Sequence, residues 1–184
     1  MIDHLEQTVS EFEAQIEAAL EPFRATVERL TTIPGVSATA ASVIIAEIGV
    51  DMSRFATVAH LRSWAGLCPQ LNESAAEIMS RRLRYGAPWL KTVLVQCAWA
   101  ATRTKNNYLH AQFLRLRARR GPKKAALTVA ASILTTAYYL QRNQVPYRDL
   151  GPLYFARLDQ DRTAQRLARR IRELGYEVEI RKAA

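Results

Sequence analysis

The feature that most constrains the fold is residues 30–49, where two apolar helical stretches meet at a proline–glycine turn. Leu30–Ile33 closes or leads into the first helix, and Pro34–Ser37 makes the turn. The second helix, predicted over Ala38–Ile48, carries inward-facing residues at helical spacing, namely Ala41, Ile44, Ile45 and Ile48. Such a turn points backbone N–H groups outward, where they can bind a phosphate.

This segment resembles a helix-hairpin-helix motif, which binds the DNA backbone without reading its sequence. The motif usually has two glycines in its turn, and Ser37 takes the place of the second one here. Gly35, Val36 and Ser37 are therefore the candidate DNA-binding residues of the turn. The alternative is a plain turn between two packed helices, without a ligand.

The charges are unevenly distributed along the chain, whose formal net charge is +9. Residues 1–29 contain seven acidic and two basic residues, whereas residues 78–148 contain fourteen Lys or Arg and no acidic residue. A field of this kind attracts a polyanion, and its binding should depend strongly on salt. The charge pattern therefore favours nucleic acid as the partner, with a basic surface that binds nothing as the alternative.

Composition excludes several other classes of protein. Apolar residues make up 49% of the chain, enough for a core, yet no apolar run reaches the length of a membrane span. The acidic first 20 residues do not fit a signal peptide. Cys68 and Cys97 lie in apolar surroundings and are expected as reduced, buried residues, which implies a cytoplasmic location.

No metal site is expected in this chain. The three histidines lie far apart and lack Cys or carboxylate partners at ligand spacing. A two-metal nuclease needs several converging acids, and residues 78–148 have none.

The apolar periodicity predicts a mainly α fold. Residues 2–30 repeat apolar residues at 3–4 spacing, as in a coiled-coil helix broken near Pro22, and should pair with a second copy or with the body of the protein. Further helices are predicted over 57–66, 87–105, 108–120, 123–143 and 162–174. Residues 66–86 read as loops or a short β-hairpin, 146–155 as an extended segment and 176–181 as a C-terminal strand. The three tryptophans, at helical spacing within apolar faces, are expected in the core, and stacking on bases is the alternative: Trp64, Trp89 and Trp99.

Ser74, in the string NESAAEIMSRRLRYG, is a candidate nucleophile. A serine hydroxyl needs a neighbour that takes its proton or a polarised target phosphate. Arg81, Arg82 and Arg84 are close enough in sequence to stabilise charge on such a phosphate. The alternative is a serine that caps a turn. Further candidate DNA-binding cations flank the Gly121-Pro122 break, namely Arg119, Arg120, Lys123 and Lys124.

The string from Ile33 to about Phe155 resembles the C-terminal transposase domain of the bridge-RNA-guided insertion-sequence transposases, also described as DEDD transposases. The matching pieces, in the family's order, are IPGVSATAASVIIAEIG, SRFATVAHLRSWAGLCPQLNES, RRLRYGAPWLKTVLVQCAWAA, GPKKAALTVAASIL and PYRDLGPLYF. The resemblance implies DNA and guide RNA as partners, assembly as a homodimer or tetramer, and Ser74 as the residue that forms a covalent phosphoserine link with DNA. It also implies three parts: a coiled-coil-like dimerisation helix (1–29), the transposase domain (30–155) and a basic C-terminal helix and tail (156–184).

Two departures from the family pattern bear on activity. The family commonly has Gly-Lys where this chain has Ala76-Glu77, and an acid there would repel a DNA backbone. Family members also carry an N-terminal RuvC-like domain with four metal-binding acids, and this chain starts within what resembles the coiled coil that follows it. The resemblance therefore implies a truncated element, a fragment of a longer protein, or a half that receives this domain, with its Mg²⁺, in trans. The alternatives are a non-catalytic module that binds DNA or RNA and a helical dimerisation protein.

Overall fold

A computed structural model describes residues 2–68, 72–74, 77–80, 85–158 and 160–181, with backbone alone for 72–74 and 77–80. The helices are α1 (Ile2–Leu20), α2 (Arg24–Thr31), α3 (Ala38–Ile48), α4 (Val58–Trp64), α5 (Pro88–Arg103), α6 (Tyr108–Arg120), α7 (Pro122–Asn143), α8 (Tyr154–Leu158) and α9 (Gln160–Glu173). Two short strands, β1 (Asn72–Ser74) and β2 (Glu77–Ser80), lie between α4 and α5. The mainly α fold predicted from the sequence is confirmed.

Local sequence explains where several helices begin. Ser37, Thr57 and Asn107 each precede a helix in extended conformation, and the side-chain oxygen of each accepts a hydrogen bond from the N–H three residues later. These N-caps satisfy one of the backbone donors that a helix leaves unpaired at its start. Pro22 lies in a 3₁₀ turn between α1 and α2, so the predicted break of the first helix is confirmed.

The core is built around α7, which packs against α2, α4, α5 and α6. Half of its 22 residues are buried, and five of these are alanines, which let neighbouring helices approach closely. α7 is held to α6 by the Gln112 side chain, which donates to the Ser132 hydroxyl (3.0 Å). The buried Tyr138 hydroxyl donates to the Phe55 carbonyl (3.2 Å), which joins α7 to the segment before α4.

The first helix stands apart from this core. Its five apolar stripe residues are between 52% and 70% exposed, and α1 buries none of its residues: Ile2, Leu5, Val9, Phe12 and Ile16. The apolar face that its sequence predicts is therefore present but uncovered in a single chain. Among the described residues, no helix has the length and apolar character needed to cross a membrane.

Three expectations from the sequence are wrong. Residues 176–181 form no strand, because no neighbouring strand offers them hydrogen bonds in the described part of the chain. Residues 154 and 155 begin the short helix α8 rather than ending an extended segment. The tryptophans are not core residues: Trp64 is 44%, Trp89 74% and Trp99 38% exposed, since alanine and leucine fill the helix contacts instead.

Candidate nucleic-acid interface

The turn between α2 and α3 has a defined backbone structure. Gly35 has φ +85°, a conformation that L side chains rarely adopt. The Val36 N–H donates to the Ile33 carbonyl (3.1 Å), and the Val36 side chain is buried, so this residue closes the turn. Ser37 follows, and its Oγ accepts from the Ala40 N–H (3.2 Å). Of the three candidate residues in the turn, Ser37 is the exposed one.

Helix α5 fixes the position of this turn. A Cβ on Gly35 would lie 2.5 Å from the Ala101 backbone nitrogen and would collide with the Cys97 carbonyl oxygen. Glycine is therefore required both by its φ and by the close approach of the two backbones. The contact leaves the start of α3 at the surface, where Ser37, Ala38 and Thr39 are exposed. The first N–H groups of a helix have no partner within it and carry its positive dipole end.

A second positive feature is the corner between α6 and α7. Gly121 ends α6 and precedes α7 with φ +80°, so the two helices turn sharply at one residue. Arg119 and Arg120 end α6, Lys123 and Lys124 lie in the first turn of α7, and all four side chains are exposed. No acidic residue occupies that first turn. The two lysines therefore add to the positive end of the 22-residue helix dipole instead of cancelling it.

The segment that carries Ser74 begins and ends at one point of the fold. Gly66 follows α4 and Gly86 precedes α5, and a Cβ on Gly86 would lie 2.6 Å from the Gly66 Cα. Between them β1 and β2 pair antiparallel, with Ser74, the last residue of β1, in register with Glu77, the first residue of β2. The segment thus contains the short β-hairpin that the sequence left as one of two alternatives. Arg81, Arg82 and Arg84 lie outside the described residues, as does the side chain of Ser74.

The segment after α7 joins the turn to the start of α6. The Tyr147 N–H donates to the Thr32 hydroxyl (3.0 Å), beside the turn between α2 and α3. Two residues later the Asp149 carboxylate accepts from the Tyr108 N–H (3.1 and 3.2 Å), the Tyr147 hydroxyl (2.9 Å) and the Gly151 N–H (2.6 Å). Asp149 therefore caps α6 and anchors the chain that follows α7.

Two tyrosines in this region have a raised pKa. Burial raises the pKa of Tyr147, and the hydrogen bond to the Asp149 carboxylate raises it further. Burial also raises the pKa of Tyr108, whose ring stacks on Phe155 (5.2 Å between ring centroids). The Arg115 guanidinium covers the other ring of that pair, 4.8 Å from the Phe155 centroid. This part of the surface is built for packing, and its charge is held close to aromatic rings.

Among the described residues, no three His, Cys, Asp or Glu side chains lie close enough together to hold a metal ion. The Mg²⁺ that the family resemblance implies for a RuvC-like domain does not fit these residues.

Sequence reasoning missed two features of this surface. Asp149 was not singled out, although it is the first acid after 71 residues without one, which is a signal for a specific role. The exposure of Trp89 was also missed, since its place in an apolar string favours the core, and Tyr85 was not considered.

Comparisons with known proteins match the part of the chain that contains the turn between α2 and α3. Residues 27–114 match the family model described as "Transposase IS116/IS110/IS902 family". The Insertion element IS110 uncharacterized 43.6 kDa protein of Streptomyces coelicolor is 38% identical to this chain over 89 residues, which are 48% of this chain and 22% of that protein. The chain thus spans about a fifth of the length of this relative. The segment from α2 to α6, which contains the turn and the Ser74 hairpin, is therefore similar to the transposase domain of this insertion-element family.

Proposed function

We propose that this chain is a DNA-binding part of an insertion-element transposase, which binds backbone phosphates and presents Ser74 for strand cleavage and exchange. The observation that carries the proposal is the match of residues 27–114 to a transposase family, combined with the fold of that segment. Its helix-turn-helix unit exposes the start of α3, and its Ser74 ends strand β1, which pairs with β2 between α4 and α5 in the chain.

Two places whose geometry and charge suit a phosphate support the proposal. The start of α3 offers backbone N–H groups beside Ser37, which is the arrangement that a helix N-terminus uses to bind an anion. The α6–α7 corner adds Arg119, Arg120, Lys123 and Lys124. Neither place has an acidic residue next to it in sequence, so both attract the backbone of DNA irrespective of its bases.

The chemistry assigned to Ser74 is a transesterification. Its Oγ attacks a backbone phosphorus, an Oγ–P ester bond forms, and one P–O bond of the DNA chain breaks. The released sugar oxygen takes a proton in place of the one lost by the serine hydroxyl, so atoms and charge balance without an oxidant or a nucleotide. The resulting phosphoserine ester conserves the bond energy for rejoining to another strand. Arg81, Arg82 and Arg84 would stabilise the negative charge that develops on the phosphate.

Assembly and partners complete the proposal. The uncovered stripe of α1 suits a second copy of the chain, which would make a homodimer or a tetramer of two such pairs. A guide RNA and a metal-bearing RuvC-like domain belong to the proposal only through the family resemblance. The experiment therefore compares the chain with and without an added guide RNA and RuvC-like domain.

The experiment has two readouts. Binding of a labelled duplex is measured at several salt concentrations for the wild type, for Lys123→Gln/Lys124→Gln, and for Arg24→Gln/Arg181→Gln, a control with the same charge change away from the corner. The slope is that of the logarithm of the DNA-binding constant against the logarithm of the salt concentration. In the lysine variant we expect its magnitude to fall by about 0.9 for each phosphate that the corner no longer neutralises. In the control we expect the slope of the wild type. Equal slopes in all three proteins would contradict the assignment of the corner.

The second readout is a denaturing gel that detects protein linked to labelled DNA, run with and without a RuvC-like domain and guide RNA. Ser74→Ala should abolish the covalent band, while Ser80→Ala, a change at the other end of the same hairpin, should keep it. Salt-dependent binding without any covalent band in the complete mixture would favour the second candidate, a binding module without catalysis. The Ala76-Glu77 pair in place of Gly-Lys is the observation that favours that candidate.

A further inference from the structure

Two aromatic side chains are unusually exposed at the base of the Ser74 segment. Tyr85 is 102% and Trp89 74% exposed. The other two tryptophans are less exposed, and each contacts a phenylalanine ring. The ring centroids of Trp64 and Phe55 are 5.8 Å apart, and those of Trp99 and Phe113 are 5.7 Å apart. In the described part of the chain, no ring contact holds Tyr85 or Trp89. An exposed tryptophan leaves a large apolar surface in water, so it indicates a partner that covers it.

The backbone that carries these rings is held in place. Gly86, between them, lies against the backbone of Gly66. Pro88 starts α5 with its φ restricted by the ring, and the next residue is Trp89. The following residue, Leu90, is fully buried. Trp89 therefore projects from a backbone that is packed on both sides, which reduces the entropy lost when a ligand binds its ring.

The surroundings favour an anionic polymer over a protein surface. The first turn of α5 has no acidic residue, and neither has the rest of residues 78–148. Three exposed residues follow Trp89 along α5, each counted from the one before it at steps of three, four and seven: Thr92, Gln96 and Arg103. They share one face of α5 with Trp89, which forms an acid-free track about 21 Å long at 1.5 Å per residue.

We propose that Tyr85 and Trp89, at the base of the segment that carries Ser74, form a platform on which unpaired nucleobases stack. The proposal deepens the proposed function and rests on it. Strand exchange opens the duplex beside the cleaved phosphate, and the freed bases need an apolar surface. Aromatic rings accept every base because each base has a flat face, so the platform holds single strands without reading their sequence. The phosphates between the stacked bases would follow the polar track of α5.

The test uses two oligonucleotides of equal length and charge, an oligo(dT) strand and the same strand with abasic sites at its centre. The full-length chain should bind the strand with bases more tightly, by roughly five- to a hundredfold. Trp89→Ala should lose this preference while keeping the salt dependence of binding, and Trp89→Phe should retain most of it. Tyr176→Ala, a change of another highly exposed tyrosine, is the control and should keep the full preference.

A fluorescence measurement locates the contact. In a Trp64→Phe/Trp99→Phe protein, Trp89 is the sole tryptophan, and its emission should be quenched by oligo(dT) and hardly by the abasic strand. Salt-dependent binding with no base preference, or a preference that survives Trp89→Ala, would overturn the platform and leave the proposed function standing. A Trp89→Ala protein that loses self-association instead would overturn it in favour of a protein interface. Absence of all nucleic-acid binding would overturn both proposals.

Discussion

Gly86 and Gly66 lie in backbone contact, so the segment that carries Ser74 leaves and re-enters the helical body at the same point. A Cβ on Gly86 would lie 2.5 Å from the Ala65 carbonyl carbon and 2.6 Å from the Gly66 Cα. This contact couples the end of α4 to the start of α5. The 16-residue helix α5 starts two residues after this contact.

Gly86→Ala tests this contact. Because the new methyl group meets backbone and not a flexible side chain, we expect a loss of about 1–3 kcal/mol in the free energy of unfolding, measured by urea titration. Gly175→Ala is the matched control, since its Cβ would meet nothing within 4 Å and only its φ of +90° opposes the change. An equal or smaller loss for Gly86→Ala than for the control would show that the contact is not tight.

The Tyr147–Asp149 pair predicts a loss of stability at high pH. Since the pKa of Tyr147 is raised in the folded chain, the unfolded chain loses this proton first as the pH rises. The stability that the protonated Tyr147 hydroxyl contributes to the folded chain is therefore complete below about pH 10, the ordinary tyrosine pKa. It declines as the pH rises above that value. Tyr147→Phe should be less stable at pH 7, by about 1 kcal/mol for the lost hydrogen bond, but should lose less stability between pH 9 and 11.

Thermal unfolding at several pH values measures this difference. Cys97, whose pKa burial raises to about 11, contributes the same alkaline loss to both proteins and cancels in the comparison. Parallel stability curves for the wild type and Tyr147→Phe would contradict the role of Tyr147.

The two thiols should differ in reactivity. Burial raises the pKa of Cys97 to about 11 and its side chain is only 3% exposed, whereas Cys68 is half-buried after α4. Because the thiolate is the reactive form, a thiol reagent at pH 8 should modify Cys68 first. Cys68→Ala should then react only after unfolding, and Cys97→Ala should react at the wild-type rate. Fast modification of the Cys68→Ala protein would show that Cys97 is accessible.

The uncovered stripe of α1 predicts self-association. Phe12→Asp places a charge in the middle of the stripe and should lower the mass of the assembly, measured by light scattering after size exclusion. Ala14→Asp, on the opposite face of α1, should leave the mass unchanged. The core should remain folded in both variants, since α1 buries no residue. A monomeric wild type would contradict the prediction.

Most helices could be predicted from sequence because their signals are local. The predicted bounds of α3 and α6 are those observed, and those of α4, α5, α7 and α9 are within two residues. Ser37, Thr57 and Asn107 cap their helices with their own side chains. The break at Pro22 follows from the proline ring alone.

The wrong predictions concern features that depend on distant partners. Residues 176–181 alternate like a strand but have none to pair with in the described part of the chain. Trp89 lies in an apolar string, yet it is 74% exposed in the folded chain. Periodicity reports that a face is apolar, but not whether another element covers it.

For this protein the sequence by itself determined most of the helices, the turn at Pro34-Gly35 and the acid-free basic region, because caps, periodicity and charge are properties of neighbouring residues. Only the tertiary structure decided that Gly35 lies against α5, that Asp149 caps α6 from 41 residues away, and that Trp89 is exposed beside the Ser74 segment. These are contacts between segments far apart in the chain, and they form only when the helices pack around α7.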